Sequence, residues 1–329
     1  MRRRAAAAAA VLTSVALVAC SNEHSPSVLD PSGTEARKLE GVWWLMFGLA
    51  AAVYAIVAGL ILFAIVRNRR RGPRESRIND NAFIVIGGLG LPLVILTVIA
   101  FVTVQTTTEV RQPESGAMRV DVRGHDWWWE VRYPDTGIVT ANEIHIPVGR
   151  QVAVHIRTAD VIHSFWVPQL AGKLDAIPGQ DNVLRLTAER PGTYRGECAE
   201  FCGLQHANMN FLVVAEDATR FGQWEQTEAQ GAALPTDDQG EQGRLVFERE
   251  ACAGCHTIRG TSAAGVLGPD LTHMGSRRTI GAATVPNTTA NLAGWIADAQ
   301  SIKPGSKMPP IVLEPNELLA LVHYLQEQK

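Results

Sequence analysis

Apolar residues are spread unevenly along this chain. Three apolar stretches, residues 5–19, 42–66 and 82–104, fall in its first third, and the remainder alternates between short apolar and polar segments. The second and third stretches carry no charge and are long enough to cross a bilayer as helices, which takes roughly 20 residues. From residue 117 to 217 the period shortens to two. Met118, Val120 and Val122 alternate with polar neighbours, as do Val152, Val154 and Ile156. Further strands are expected at 183–186 and 211–214, with turns at Pro178-Gly179 and Pro191-Gly192. Such short strands predict an antiparallel sandwich or barrel. Residues 218–240, and most clearly Gly222 to Gly240, are polar and read as a linker. Beyond them the period is helical. Helices are expected over 241–250, over 291–300 with Leu292, Trp295 and Ile296 on one face, and over 317–328 with Leu318, Leu321, Val322 and Leu325 on one stripe. The fold class is therefore a multidomain membrane protein: a two-helix hairpin over 41–109, a β-domain and a small all-α domain over 241–329.

Charge sets the orientation. Met1-Arg-Arg-Arg4 before the short apolar run predicts a secretory signal over 1–19, leaving an extracytoplasmic segment over 20–40. The run closes on Leu17-Val-Ala-Cys20, which resembles the lipobox of bacterial lipoproteins, so Cys20 is expected to carry lipid. Arg67, Arg69, Arg70, Arg71, Arg74 and Arg77 crowd the loop between the two long apolar runs, which places that loop on the cytoplasmic side. Both ends of the hairpin, and everything after about residue 105, then lie outside a bacterial cell membrane. Pro92 stands inside the second run, where a kink is expected. The formal net charge of −3 gives no electrostatic support to a nucleic-acid partner.

Two segments carry candidate chemistry. Cys198, Cys202, His206 and Met209 lie close together, and His163 offers a second imidazole. A disulfide between the cysteines would leave His163, His206 and Met209 without a role. Zinc would leave Met209 without one, since zinc takes N, O and thiolate donors. Thiolate, imidazole and thioether together suit copper, and two Cys, two His and one Met suffice for a sulfur-bridged pair of copper ions. The second segment is Cys252-Ala-Gly-Cys255-His256, the spacing of covalent c-type haem attachment, with His256 over the iron. Met308 is the expected second axial ligand, since His/Met ligation raises the potential into the range used for electron transfer. Met274 follows His256 by too short a loop, and His273 ranks below Met308. Gly124-His-Asp-Trp127-Trp128-Trp129 cannot place all three indoles on one side of a strand, so at least one should be exposed or at a contact. His125, His145 and His155 belong to no motif and read as ordinary strand or loop residues.

The Cys-x-Glu-x-Cys-x3-His-x2-Met pattern over 198–209 resembles the binuclear copper A signature of subunit II in the haem-copper respiratory oxidase family. The resemblance implies a cupredoxin-like Greek-key fold for 117–217. It implies one imidazole per copper from His163 and His206, bridging Cys198 and Cys202, and weak outer ligation by Met209 and the Glu200 carbonyl. It further implies a magnesium ion near the Glu200 side chain, electron entry at Trp127, and docking of the stretch from Lys173 to Gly179 against subunit I. The C-terminal part resembles small class I cytochromes c, with the Pro269 carbonyl orienting His256 and with Arg277 and Trp295 at the haem edge, although Trp295 reads equally as helix core. The implied partners are oxidase subunits I and III, with a quinol–cytochrome c reductase or a cytochrome c as donor. The implied reaction is reduction of dioxygen to water in subunit I, coupled to proton translocation. The chain departs from the family where many members carry a carboxylate at the cytoplasmic end of the second span: here Asp80 only precedes it. A copper subunit of a nitric oxide reductase and an extracytoplasmic copper-delivery protein are the alternatives. Quinol oxidase subunits share the fold but lack the copper ligands.

Overall fold

The structure is a computed structural model that describes residues 26–71, 80–111 and 114–329. The expected signal, Cys20 and the Arg74 and Arg77 part of the basic loop lie outside the described residues. Helix α1 spans Thr34–Arg71. It is followed by α2 (Asp80–Val85), a π-turn (Ile86–Gly90) and α3 (Leu91–Arg111). Both helical rods are apolar and none of the residues in their most apolar windows is buried, with Phe101 70% and Ile86 68% exposed. A helix apolar all round needs an apolar surrounding, which a bilayer supplies. The disturbance expected at Pro92 takes the form of the π-turn. Pro92 has no N–H for the carbonyl four residues back, and the wider turn absorbs the lost register. The helix α1 starts earlier than the apolar run because its first turn is bound to the β-domain. Ala36 N–H donates to the Leu170 carbonyl at 3.1 Å, and buried Glu35 accepts from Arg185 Nε at 2.6 Å. Lys38 and Glu109 pair at 2.9 Å across the two rods.

The β-domain is a sandwich of two five-stranded sheets. One runs β3 (Ile138–Ala141), β2 (Trp128–Tyr133), β1 (Met118–His125), β5 (Val152–Thr158), β8 (Asn182–Leu186). The other runs β4 (Glu143–Pro147), β10 (Asn210–Glu216), β9 (Gly192–Cys198), β6 (His163–Trp166), β7 (Leu174–Ala176). The sheets are mixed rather than purely antiparallel, since β1 pairs with β5 and β4 with β10 in parallel. Turn residues reveal hairpins, whereas parallel partners are distant in sequence and leave no local signal. The apolar face of each strand meets between the sheets around Trp129, Phe165 and Phe211, whose rings lie 4.4–5.7 Å apart.

Residues 218–228, expected as the first part of a linker, instead form α4 (Ala218–Glu228). Asp217 caps it by accepting from Thr219 and Arg220 N–H. Phe221 and Trp224 seat it on the β-domain, with Trp224 stacked on His145 at 4.4 Å. The polar composition of this stretch masks an amphipathic helix. The all-α domain holds α5 (Asp238–Arg249), α6 (Cys252–Cys255), a short β-ribbon (Thr279–Ile280 with Val285–Pro286), α7 (Thr289–Ala297), α8 (Ala299–Ile302) and α9 (Pro315–Glu327). Its core gathers Leu292, Ile296, Leu321, Val322 and Leu325, expected from the helical stripes, together with Phe247 and Tyr324.

Candidate metal and haem centres

Cys198 closes β9 and Met209 immediately precedes β10, and the base of the intervening loop is pinned by Cys198 N–H donating to the Met209 carbonyl at 2.9 Å. His163 opens β6, which pairs with β9 through Phe165 and Cys198. The sheet thus brings His163 to a loop far from it in sequence. The two Sγ atoms lie 3.8 Å apart, unbonded. His163 Nδ1 is 4.0 Å from Cys198 Sγ, His206 Nδ1 is 3.7 Å from Cys202 Sγ, and Met209 Sδ is 3.8 Å from Cys202 Sγ. The Glu200 carbonyl is 3.2 Å from Cys198 Sγ. All five side chains and the carbonyl expected as ligands converge on one space.

That space is electrostatically prepared. The bond from the Cys202 thiol holds the Cys198 thiol well below its usual range, against the opposing effect of burial, and His163 adds to the pull. The same bond, with burial, pushes Cys202 up. One negative charge is therefore already favoured on the pair, which suits cation binding. Asp160 Oδ1 lies 2.8 Å from His163 Nε2, so the ring presents Nδ1 to the sulfurs. Gly124 permits this placement, because a Cβ there would lie 2.7 Å from the His163 ring. The Glu200 carboxylate faces the Lys173 ammonium at 3.8 Å, so a cation at that carboxylate would compete with Lys173. Asp175, in the neighbouring stretch, accepts from Ser164 Oγ at 2.7 Å.

The three tryptophans separate as the strand geometry requires. Trp129 is fully buried, Trp128 stacks on His125 at 4.4 Å, and Trp127 is half-buried beside the ligand loop. Trp127 Nε1 donates to the Cys202 carbonyl at 2.9 Å. His145 and His155 face Glu216 and Asp181, away from the sulfurs.

In the helical domain, α6 holds Cys252 and Cys255 one turn apart, both free, and His256 follows directly. His256 Nδ1 donates to the Pro269 carbonyl at 2.8 Å. Burial holds the imidazole below its usual range, against the Pro269 bond, so the ring is neutral with Nε2 as the remaining lone pair. Gly268 packs against this ring; a Cβ there would lie 2.5 Å from His256 Cε1. Arg277 is drawn down by burial, and its Nε has no partner, although Nη2 donates to the Asp270 carbonyl. A buried guanidinium with a free donor fits the carboxylates at a haem edge. Val266 and Leu267, just before Gly268, are 74% and 76% exposed, and Val312, just after the Met308 loop, is 96% exposed. Apolar side chains so placed fit a covering macrocycle. Gln300 Nε2 holds the Met308 loop by bonds to the Ser306 and Met308 carbonyls at 2.6 and 2.8 Å. Met274 is buried in the core and His273 Nε2 is engaged by the Gln230 carbonyl at 3.2 Å. Trp295 packs at the edge of the helical core.

Sequence reasoning missed Asp160, Lys303 and Glu143. Asp160 is three residues before His163, a spacing that carries no motif, and the other two find their main partners across the domain junction.

Residues 138–216 match the family described as cytochrome C oxidase subunit II, periplasmic domain, and residues 240–329 match cytochrome c. Cytochrome c oxidase subunit 2 of Alkalihalophilus pseudofirmus is 34% identical over 324 residues, covering 95% of this chain and 94% of the relative. The Bacillus subtilis protein of the same name is 31% identical over 328 residues, covering 92% of each. A crystal structure of the periplasmic domain of subunit II of cytochrome oxidase of Bradyrhizobium japonicum aligns with TM-score 0.34 and 30% identity over 35% of this chain and 95% of that one. The chain therefore belongs to the cytochrome c oxidase subunit 2 family, in a form that also carries a cytochrome c domain.

Proposed function

We propose that this chain is the electron-entry subunit of a respiratory cytochrome c oxidase, taking electrons at its cytochrome domain and delivering them through its β-domain to subunit I, where dioxygen is reduced to water with coupled proton translocation. The observation that carries the reading is the convergence of Cys198, Cys202, His163, His206 and Met209 with the sulfurs 3.8 Å apart. A copper A pair and a haem c, when bound, supply reversible one-electron chemistry. Cys198 and Cys202 would bridge the copper pair, His163 and His206 would each take one metal, and Met209 and the Glu200 carbonyl would ligate weakly. Cys252 and Cys255 would hold the haem covalently, with His256 and Met308 axial and Arg277 at its edge.

The remaining residues hold this arrangement still. Asp160 fixes the His163 ring, the Pro269 carbonyl fixes His256, and the two sheets keep the ligand loop in one geometry in both redox states. Trp127, bonded to the Cys202 carbonyl, is the contact through which electrons enter the β-domain. The hairpin anchors the chain with both soluble domains on the extracytoplasmic face, beside subunit I and, by family likeness, subunit III. A quinol–cytochrome c reductase or a cytochrome c would supply electrons. A magnesium ion at Glu200, lipid on Cys20 and a proton-path role for Asp80 belong to the same reading as lesser parts.

Metal analysis with electron paramagnetic resonance and absorption spectra of the purified protein tests this. Two coppers per chain sharing one unpaired electron, with a reducible low-spin haem c, are expected. Zinc, a single exchangeable copper or a Cys198–Cys202 disulfide in loaded protein would overturn it in favour of a structural or copper-delivery role.

A further inference from the structure

The junction between the cytochrome and β-domains is crossed by two buried ionisable residues, one from each side. Lys303, 3% exposed, lies in the cytochrome domain's Met308 loop. Its Nζ donates to the Trp127 carbonyl at 2.7 Å, the Asn208 carbonyl at 2.7 Å and the Gly281 carbonyl at 3.0 Å. The Asn208 carbonyl belongs to the ligand loop, and Trp127 is bonded to that loop through the Cys202 carbonyl. Glu143, 4% exposed, belongs to β4 of the β-domain. Its Oε1 accepts from the N–H of Arg278 at 2.8 Å and of Thr279 at 3.1 Å in the cytochrome domain.

Weaker contacts fill the space between these anchors. Gln205 Nε2 donates to the Pro304 carbonyl at 2.6 Å, Arg278 Nη1 to Thr193 Oγ1 at 2.7 Å, and Asn210 N–H to the Ala282 carbonyl at 3.2 Å. Ala282 and Ala283, both buried in this junction, adopt φ of 62° and 54°. Residues with a Cβ hold that conformation when their surroundings over-determine it. Lys307 Nζ also reaches Asp126 and Asp160 at 3.5 and 3.8 Å, and Asp160 is the residue that orients His163. A Cβ at Gly305 would lie 2.6 Å from Leu204 Cδ2 and 3.8 Å from Trp127 Cη2, so the Met308 loop passes close over Leu204 of the ligand loop and near Trp127.

We infer that Lys303 and Glu143 form a clasp that locks the cytochrome domain on the β-domain in one pose, so that electron passage between the two is a fixed intramolecular contact rather than repeated encounters of a tethered carrier. The physical reason lies in the bonds and not in burial, which by itself disfavours an ionised group. A partial opening would leave buried donors and acceptors unpaired before water reaches them, so the two sets of bonds must break together. A flexible tether would only raise local concentration and leave the pose free. The external donor then docks on the cytochrome domain, because the Trp127 face is already occupied. Lys303 and Glu143 are positioning residues in this scheme and touch neither metal nor haem.

This inference rests on the proposed electron-entry role. The test uses the full membrane complex and its Lys303→Met and Glu143→Gln variants. Dipolar broadening between the oxidised haem and copper signals is measured, together with the rate of haem-to-copper electron transfer after flash reduction. Wild type should give one narrow inter-centre distance. Each variant should retain both spectra, show a broadened distance distribution and lose about tenfold or more in rate, the scale on which small misplacements of reacting groups are felt. Intact spectra with unchanged distance and rate would overturn the clasp. Hydrogen exchange of the wild type gives a second readout that needs no variant. The amides of Arg278, Thr279 and Asn210, whose N–H crosses to Ala282, should be protected like the β10 amides that bond within the sheet, and rapid exchange there would overturn the clasp. Absence of either metal signal from the wild-type complex would instead overturn the functional reading and this inference with it.

Discussion

Asp160 Oδ1 sits 2.8 Å from Nε2 of His163, on the side of the ring away from Cys198. The carboxylate thereby fixes which imidazole nitrogen faces the sulfurs. Burial raises the Asp160 carboxyl, but the His163 bond and the Asp126 and Val161 N–H groups outweigh it and hold it below the usual range. An ionised partner at that distance also keeps the ring from rotating. Replacing Asp160 by Asn should weaken copper binding by about 10–100-fold, the usual effect of losing such a partner. Copper competition with a chelator measures this directly, and an unchanged affinity would show that packing against Gly124 and Trp129 suffices to place the ring.

Met209 is fully buried against Cys202, with Sδ 3.8 Å from Sγ. Met209→Leu nearly conserves volume and should cost less than about 1.5 kcal/mol in stability. It removes the thioether, so both coppers should remain bound while the potential of the centre shifts, since an axial ligand tunes potential more than occupancy. Loss of copper from a folded Met209→Leu protein, read by metal analysis and circular dichroism, would count against a weak outer role.

Gly268 leaves no room for a side chain beside His256. Gly268→Ala forces the imidazole away from the Pro269 carbonyl, an overpacking that typically costs about 1–3 kcal/mol. The haem absorbance per chain should fall and the domain should melt at lower temperature. Gly294→Ala, outside the haem-attachment segment and meeting only Ile302 Cδ1 at 3.9 Å, is the control and should lower neither.

Glu130 supplies the pH dependence. Burial raises its carboxyl, but His125 and Arg132 outweigh that and lower it from 4.5 to about 2. A carboxyl lowered in the folded state binds fewer protons there than when unfolded. Its stabilisation is therefore present above pH 4.5 and is lost as pH falls from 4.5 towards 2. Thermal melts across that window should show a steeper loss in the wild type than in Glu130→Gln. Parallel curves would show that the pairs with His125 and Arg132 carry no net stabilisation.

Much of this protein follows from local sequence. The apolar runs, the period-two strands and the helical stripes appear where their patterns put them, because each reflects burial of one face of a regular element. The close spacing of Cys198, Cys202, His206 and Met209 places four donors on one loop, and Cys252-x-x-Cys255-His256 places two thiols one helical turn apart with the imidazole just past the helix end. Those short spacings hold their chemistry in any fold that forms the loop. Helix α4 was hidden because its polar composition outweighs two seating aromatics, and the parallel pairings β1–β5 and β4–β10 were hidden because they join distant strands.

Only the tertiary structure decided the rest. It brings β6 against β9, so His163 meets Cys198, and it sets Asp160 behind the ring. It takes Met274 into the core and turns His273 to the Gln230 carbonyl, which leaves Met308 as the proposed second ligand. It also buries Lys303 and Glu143 in the junction between the domains. Nothing in a lysine beside Pro304 or a glutamate opening a strand marks them in sequence. Their partners are backbone groups, mostly of another domain, and a backbone carbonyl or N–H leaves no trace in the order of side chains.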